Sequence, residues 1–150
     1  SLRMYFEDYE IGMIFDKEIE PIKFSEEELI WAGEKYDPRA IHTDKEKAAA
    51  SSFGRIISPG SYSNMAFWGQ WVKTDIDKPG IIAGMSIEYG KWLRPVYPDT
   101  LYHIKVEIVD KKVRKEGVNG AVTYLMTATN PQGEVVSEYC CTGLVRFRPE

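Results

Sequence analysis

The hydrophobic rhythm of the chain changes about halfway along. Before Gly80 apolar residues fall at helical spacing or in short runs; from Ile81 the period is two. Recurrence at i, i+3 and i+4 marks an amphipathic helix, and alternation marks a strand with one face on a core. The second half therefore predicts four strands. They are Ile81–Trp92, loosened by Gly84 and Gly90, then Leu101–Lys112, Ala121–Asn130 and Val135–Phe147. Tyr102, Ile104, Val106 and Ile108 share one face of the second, and Val122, Tyr124, Met126 and Ala128 one face of the third. Asn119-Gly120 and Asn130-Pro131-Gln132-Gly133 supply the turns.

In the first half, Met13–Ile22 reads as a strand with Phe15 and Ile19 on one side. Ser25 and Glu28 form the pattern of a capping box, opening a helix over Ser25–Lys35 with Leu29, Ala32 and Gly33 inward. Pro38 disfavours the α region at Asp37, so this helix stops near Tyr36. Thr43 and Glu46 repeat the capping pattern ahead of Lys45–Ser51. Ser58 is placed as an N-cap, with Pro59 at the first helical position, for the run Tyr62–Val72. That run is apolar nearly all round, the signature of a buried helix. Lys73–Gly80 is a polar loop. A buried helix followed by long antiparallel strands predicts the α+β class, a sheet wrapped over one helix. One domain, 1–150, accommodates the whole pattern, with no internal repeat.

Charge narrows the partners. The net charge is −4, and the densest basic cluster, Lys111-Lys112 with Arg114-Lys115, reads as a solvated hairpin end rather than a nucleic-acid surface. No apolar run reaches the length of a membrane span, and the first residues carry no signal-peptide pattern. Cys140 and Cys141 are adjacent, so in a strand they point to opposite faces and a mutual disulfide would be strained. They read as packing residues in a reducing cytoplasm.

Candidate chemistry gathers around Tyr36–Asp44. Asp37 and His42 lie five residues apart on a short connection between two helices. Loops held by rigid elements are where catalytic groups concentrate, and an imidazole can both give and take a proton near neutrality. The alternative is a structural pair, with Asp37 capping a turn and His42 packing. The start of the buried helix offers free amides for developing negative charge, and Gly60 would let a ligand approach the backbone. Ser58 and Ser61 stand beside it, without the glycine-flanked elbow of a serine nucleophile. Glu34, Asp37, His42 and Asp44 could be read as metal ligands. The second histidine, His103, belongs to a regular strand, so no metal is expected.

Taken together these residues resemble the MaoC-like dehydratases, the family of (R)-specific enoyl-CoA hydratases. The matching positions are Asp37, Ile41 and His42, then Asp44, Ala48 and Ala49, then Phe53-Gly54-Arg55-Ile56-Ile57 leading to Gly60. Tyr5–Gly12 and Leu93–Thr100 are similar to the family's opening and to its entry into a strand. The chain departs from the family pattern at Tyr36, at Arg39-Ala40 and at Pro59. The resemblance implies the hotdog fold, a homodimer or dimer of dimers whose sheets join edge to edge, and addition or removal of water at the 2,3 bond of an enoyl-CoA. In that reading Asp37 and His42 are catalytic and the Gly60 amide stabilises the oxyanion. Ser58, Ser61 and Arg39 meet the substrate, and coenzyme A enters only as part of it. Arg55, Lys91 and Arg94 are further candidates for its phosphates. Unpaired edges are expected near Leu101 or Val135, which would favour assembly. Two alternatives remain: an acyl-CoA thioesterase, or a non-catalytic acyl-CoA-binding module in which Tyr36 and Arg39 have closed the water site. The helix from Gly60 carries no Asp or Glu, which thioesterase chemistry would favour there.

Overall fold

The computed structural model describes residues 2–150. Four long strands, β3 (Ile81–Trp92), β4 (Leu101–Lys115), β5 (Asn119–Thr129) and β6 (Val135–Arg146), form an antiparallel sheet. Two short strands, β1 (Ile14–Phe15) and β2 (Ile22–Lys23), pair with β4, and the order along the sheet is β1-β4-β5-β6-β3. Four helices precede the long strands: α1 (Glu26–Tyr36), α2 (Ala40–Thr43), α3 (Lys45–Ala50) and α4 (Gly60–Val72).

The core lies between α4 and the sheet face predicted from the alternation. Tyr102, Ile104, Val106 and Ile108 of β4 are buried, as are Val122, Tyr124, Met126 and Ala128 of β5. Phe67 and Trp71 of α4 pack onto them, Phe67 against Tyr102 at 5.7 Å between ring centroids and Trp71 against Tyr124 at 6.2 Å. Each truncation to alanine would cost about 3–5 kcal/mol. Phe24, before α1, closes on Phe67 at 5.7 Å and ties the helical half to the same core. Trp68 meets Trp71, Tyr124 and Tyr139, which makes it part of the packing. Cys140 and Cys141 are free and buried.

Several local expectations are overturned. The expected strand Met13–Ile22 is interrupted by a turn in which Ile19 N–H donates to the Asp16 carbonyl, leaving two residues paired at each end. Phe15 and Ile19 are nevertheless both buried. Ser25 caps α1, but the Glu28 carboxylate does not return to it and instead accepts from the Tyr62 hydroxyl at 2.5 Å. Asp44, not Thr43, caps α3 by accepting from Lys47 N–H, while the Thr43 hydroxyl donates to the Arg39 carbonyl. Ser58 does not cap α4; its hydroxyl donates to the Pro59 carbonyl, and the helix starts at Gly60. Nor is α4 buried all round, since Met65 is 59 % exposed.

Asn119-Gly120 lies inside β5, and the hairpin turns at Gly117, whose φ is +71°. Gly120 is needed for packing: a Cβ there would fall 2.3 Å from the Phe6 ring. The edges expected to be open are also different. β4 has β5 on one side and β1 and β2 on the other, and β6 runs between β5 and β3. Among the described residues the long open edge is β3, which is exposed along nearly all its length.

Candidate active site

Asp37 and His42 are brought together by a hairpin of α1 and α2. The Asp37 amide donates to the Gly33 carbonyl, closing α1, and Pro38 redirects the chain. The Arg39 carbonyl then accepts from the His42 amide at 2.9 Å and from the Thr43 hydroxyl at 3.1 Å. His42 therefore sits on one helical turn rather than on an irregular loop. The two helices approach closely at Gly33, where a Cβ would fall 2.7 Å from the His42 Cβ. The sequence marks Gly33 only as an inward position; its contact with His42 is visible once both helices are placed.

His42 is 5 % exposed, and its Nδ1 lies 2.7 Å from the Ile57 carbonyl. A carbonyl only accepts, so Nδ1 carries the proton and donates. In the neutral ring Nε2 is then the free base, and it lies 3.3 Å from Asp37 Oδ2. Two acceptors at that distance call for a shared proton or a bridging donor. The other Asp37 oxygen, Oδ1, accepts from the Arg39 guanidinium.

The pair opens into a cleft of about 1280 Å³. Asp37, Arg39, His42, Ser58, Gly60 and Ser61 all line it, so the candidate residues converge on one space. Its apolar wall includes Trp31, Tyr36, Phe53, Met65 and Trp92. Among the described residues no carbonyl accepts from the Gly60, Ser61 or Tyr62 amide, leaving the first turn of α4 with free donors. Gly60, however, does not leave the room expected for a ligand. A Cβ there would meet the Trp92 indole at 2.3 Å, so that ring occupies the space. Ser58 is buried, with its amide on the Val96 carbonyl, and Ser61 is exposed.

Two lining residues escape a sequence reading. Trp92 reads as a strand terminus, and Tyr62 reads as part of a buried run. Burial and the Glu28 carboxylate push the Tyr62 hydroxyl up to about 12, so it stays protonated and anchors α4 to α1. Of the other candidate cations, Arg94 is held by the Val135 carbonyl and Glu134, and Arg55 lies over Tyr97 near Asp99. Arg55 and Arg94 border a second, smaller hollow. His103 is exposed on β4, away from the cleft.

An antiparallel sheet closed over one helix, with an Asp/His pair at that helix's start, defines a recognisable class. Residues 11–130 match the family described as MaoC like domain, and the chain belongs to that family. Its fold is the hotdog fold. The Bacillus subtilis uncharacterized protein YdeM is 27 % identical over 135 residues, covering 90 % of this chain and 94 % of its own length. The mesaconyl-CoA hydratase of Cereibacter sphaeroides is 27 % identical over 149 residues; they make up 96 % of this chain but 41 % of that enzyme. Among solved structures, the monoamine oxidase regulatory protein of Archaeoglobus fulgius superposes with a TM-score of 0.87 at 27 % identity, covering 99 % of this chain and 98 % of that one.

Proposed function

We propose that this protein is an enoyl-CoA hydratase or dehydratase, a carbon–oxygen lyase in which Asp37 and His42 activate water. The observation that carries the reading is the His42 ring. With Nδ1–H committed to the Ile57 carbonyl, Nε2 faces Asp37 Oδ2 at 3.3 Å inside the cleft. A water can donate one hydrogen to each of these acceptors and turn its lone pairs toward C3 of a bound 2-enoyl thioester. As the C3–O bond forms, the water's proton passes to the pair and electron density moves to the thioester oxygen. In this reading the Gly60 amide, at the open end of α4, stabilises that enolate; Ser58 and Ser61 border the same cleft. The pair then returns a proton to C2, so one water is added and the site is regenerated. Dehydration is the same sequence reversed.

Coenzyme A enters only as the carrier of the acyl group. A Cereibacter sphaeroides relative named as a hydratase of a CoA thioester supports this chemistry. Thioester hydrolysis has less support, because α4 carries no carboxylate. Two free, buried cysteines accord with a reducing cytoplasm.

The test is Asp37→Asn, which keeps size but removes the acceptor charge. General base assistance contributes about 10²–10⁴-fold, so kcat for loss of crotonyl-CoA absorbance should fall by about 10²-fold or more with the fold intact. His103→Ala, outside the cleft, should stay within a few-fold of the parent. Free thiol release without hydration would assign hydrolysis instead. Thioester binding with neither reaction would make the protein an acyl-CoA-binding module.

A further inference from the structure

The Asp37 carboxylate does not face an apolar cleft alone. Arg39 lies on the same wall, its side chain 74 % exposed, with its guanidinium on Asp37 Oδ1. Its backbone is locked in place: Arg39 N–H donates to the Asp37 carbonyl, and its carbonyl accepts from the His42 amide and the Thr43 hydroxyl. A guanidinium has five N–H donors in a planar fork. Among the described residues, Asp37 is the one acceptor that the Arg39 fork reaches. The other arginine lining this cleft, Arg94, is already held by the Val135 carbonyl and Glu134. Arg39 is therefore a cation with most of its donors free, within one hydrogen bond of the candidate base and against an apolar wall.

We propose that Arg39 selects the substrate by binding a carboxylate carried on the acyl chain next to the reacting double bond. The substrate class is then a short unsaturated dicarboxylic acid, bound as the thioester of one carboxyl group. This inference rests on the hydratase reading and names its substrate. Distance decides between the two anions such a substrate offers. The phosphates of coenzyme A stand the full length of the pantetheine arm from the thioester carbonyl. A group bonded to Asp37 can meet an anion only near the reacting carbons. A planar fork also fits a carboxylate in a two-bond pairing, which a point charge would not enforce.

The probes are fumaryl-CoA, with a free carboxylate beside the double bond, and crotonyl-CoA, with a methyl group there. The parent should favour fumaryl-CoA in kcat/KM by about tenfold or more, and Arg39→Gln should abolish or invert that preference. An unchanged ratio in Arg39→Gln, or a parent that prefers crotonyl-CoA, would overturn the inference while leaving a hydratase. Repeating the comparison with N-acetylcysteamine thioesters, which lack the phosphates, separates the two anions. A ratio that survives on them supports the acyl carboxylate, whereas an Arg39→Gln loss that is equal for both coenzyme A thioesters and absent on the truncated pair assigns Arg39 to phosphate and overturns the inference. If no thioester is hydrated, calorimetry with saturated succinyl-CoA and butyryl-CoA still decides. Tighter binding of succinyl-CoA that is lost in Arg39→Gln supports the selection, and equal binding by the parent refutes it.

Discussion

Asp77 is buried in the loop between α4 and β3, where its own backbone amide only partly offsets the cost of burying its carboxylate. Burial, with a smaller contribution from Asp75, pushes the carboxyl up to about 6 from an ordinary 3.8. Below pH 4 both folded and unfolded chains hold this proton and the group costs nothing. As pH rises the unfolded chain releases it first, so stability falls between about pH 4 and 6. Above that the full cost remains, on the order of 3 kcal/mol at about 1.4 kcal/mol per pH unit. Asp77→Asn removes it. Denaturant melts should show the variant more stable than the parent at pH 8 by about 1–3 kcal/mol, with the gain vanishing near pH 4. An equal difference at both values would assign the effect to packing instead of charge.

At the same scale, local spacing alone leaves Asp37 and His42 equally readable as a turn cap and a packed ring, and it is the resemblance to the MaoC-like family that singles them out as a pair. Pro38 ends the helix, and the spacing turns both side chains toward one space. Arg39 was visible as a cation, but its bond to Asp37 depends on the turn at Pro38 and the one-turn helix that follows. Gly60 was legible as a glycine at a helix start. What fills its open side, the Trp92 indole, comes from the far end of β3, and nothing in the local pattern announces it.

Among the elements, the strands of the second half were the clearest, since alternation on β4 and β5 repeats without interruption. Caps were less so: of the candidates Ser25, Thr43 and Ser58, only Ser25 caps its helix. Asp44 takes the place of Thr43, and Ser58 is drawn into the Val96 contact, leaving Gly60 to open α4. The junction of α1 and α2 is where an element-level change should reach the site. A methyl group at Gly33 would stand 2.7 Å from the His42 Cβ and 3.0 Å from its carbonyl oxygen, neither of which is a flexible chain end. Gly33→Ala should therefore push α2 away, although alanine itself favours a helix by about 1 kcal/mol over glycine. The expected outcome is a loss of hydratase kcat of about tenfold or more, from displacement of His42 relative to Asp37. The imidazole resonances should shift while the far-ultraviolet circular dichroism stays unchanged. Full activity would mean that the hairpin yields without moving the ring.

For the whole molecule, the open question is what covers β3. This twelve-residue strand pairs with β6 on one side and with nothing on the other among the described residues. Met85, Ile87 and Tyr89 are exposed along it. A long exposed edge bearing apolar side chains is a hazard that folded proteins cover or pair. The opposite end of the sheet is covered in part by the two-residue strands β1 and β2, both paired to β4. A second copy applied edge to edge through β3 would pair like with like about a two-fold axis, which closes the assembly at two copies. It would also lie beside Trp92, at the end of β3, and thus beside the cleft. We therefore expect a homodimer, or a dimer of dimers built from it. Light scattering at micromolar concentration should give at least twice the 17.2 kDa of one chain. Ile87 is 63 % exposed in the single chain, so Ile87→Lys should cost the protomer little, yet place two like charges near the shared edge. It should shift the mass toward the monomer without unfolding the chain. A parent that is monomeric, or a variant that stays fully associated, would show that β3 is not the joining edge.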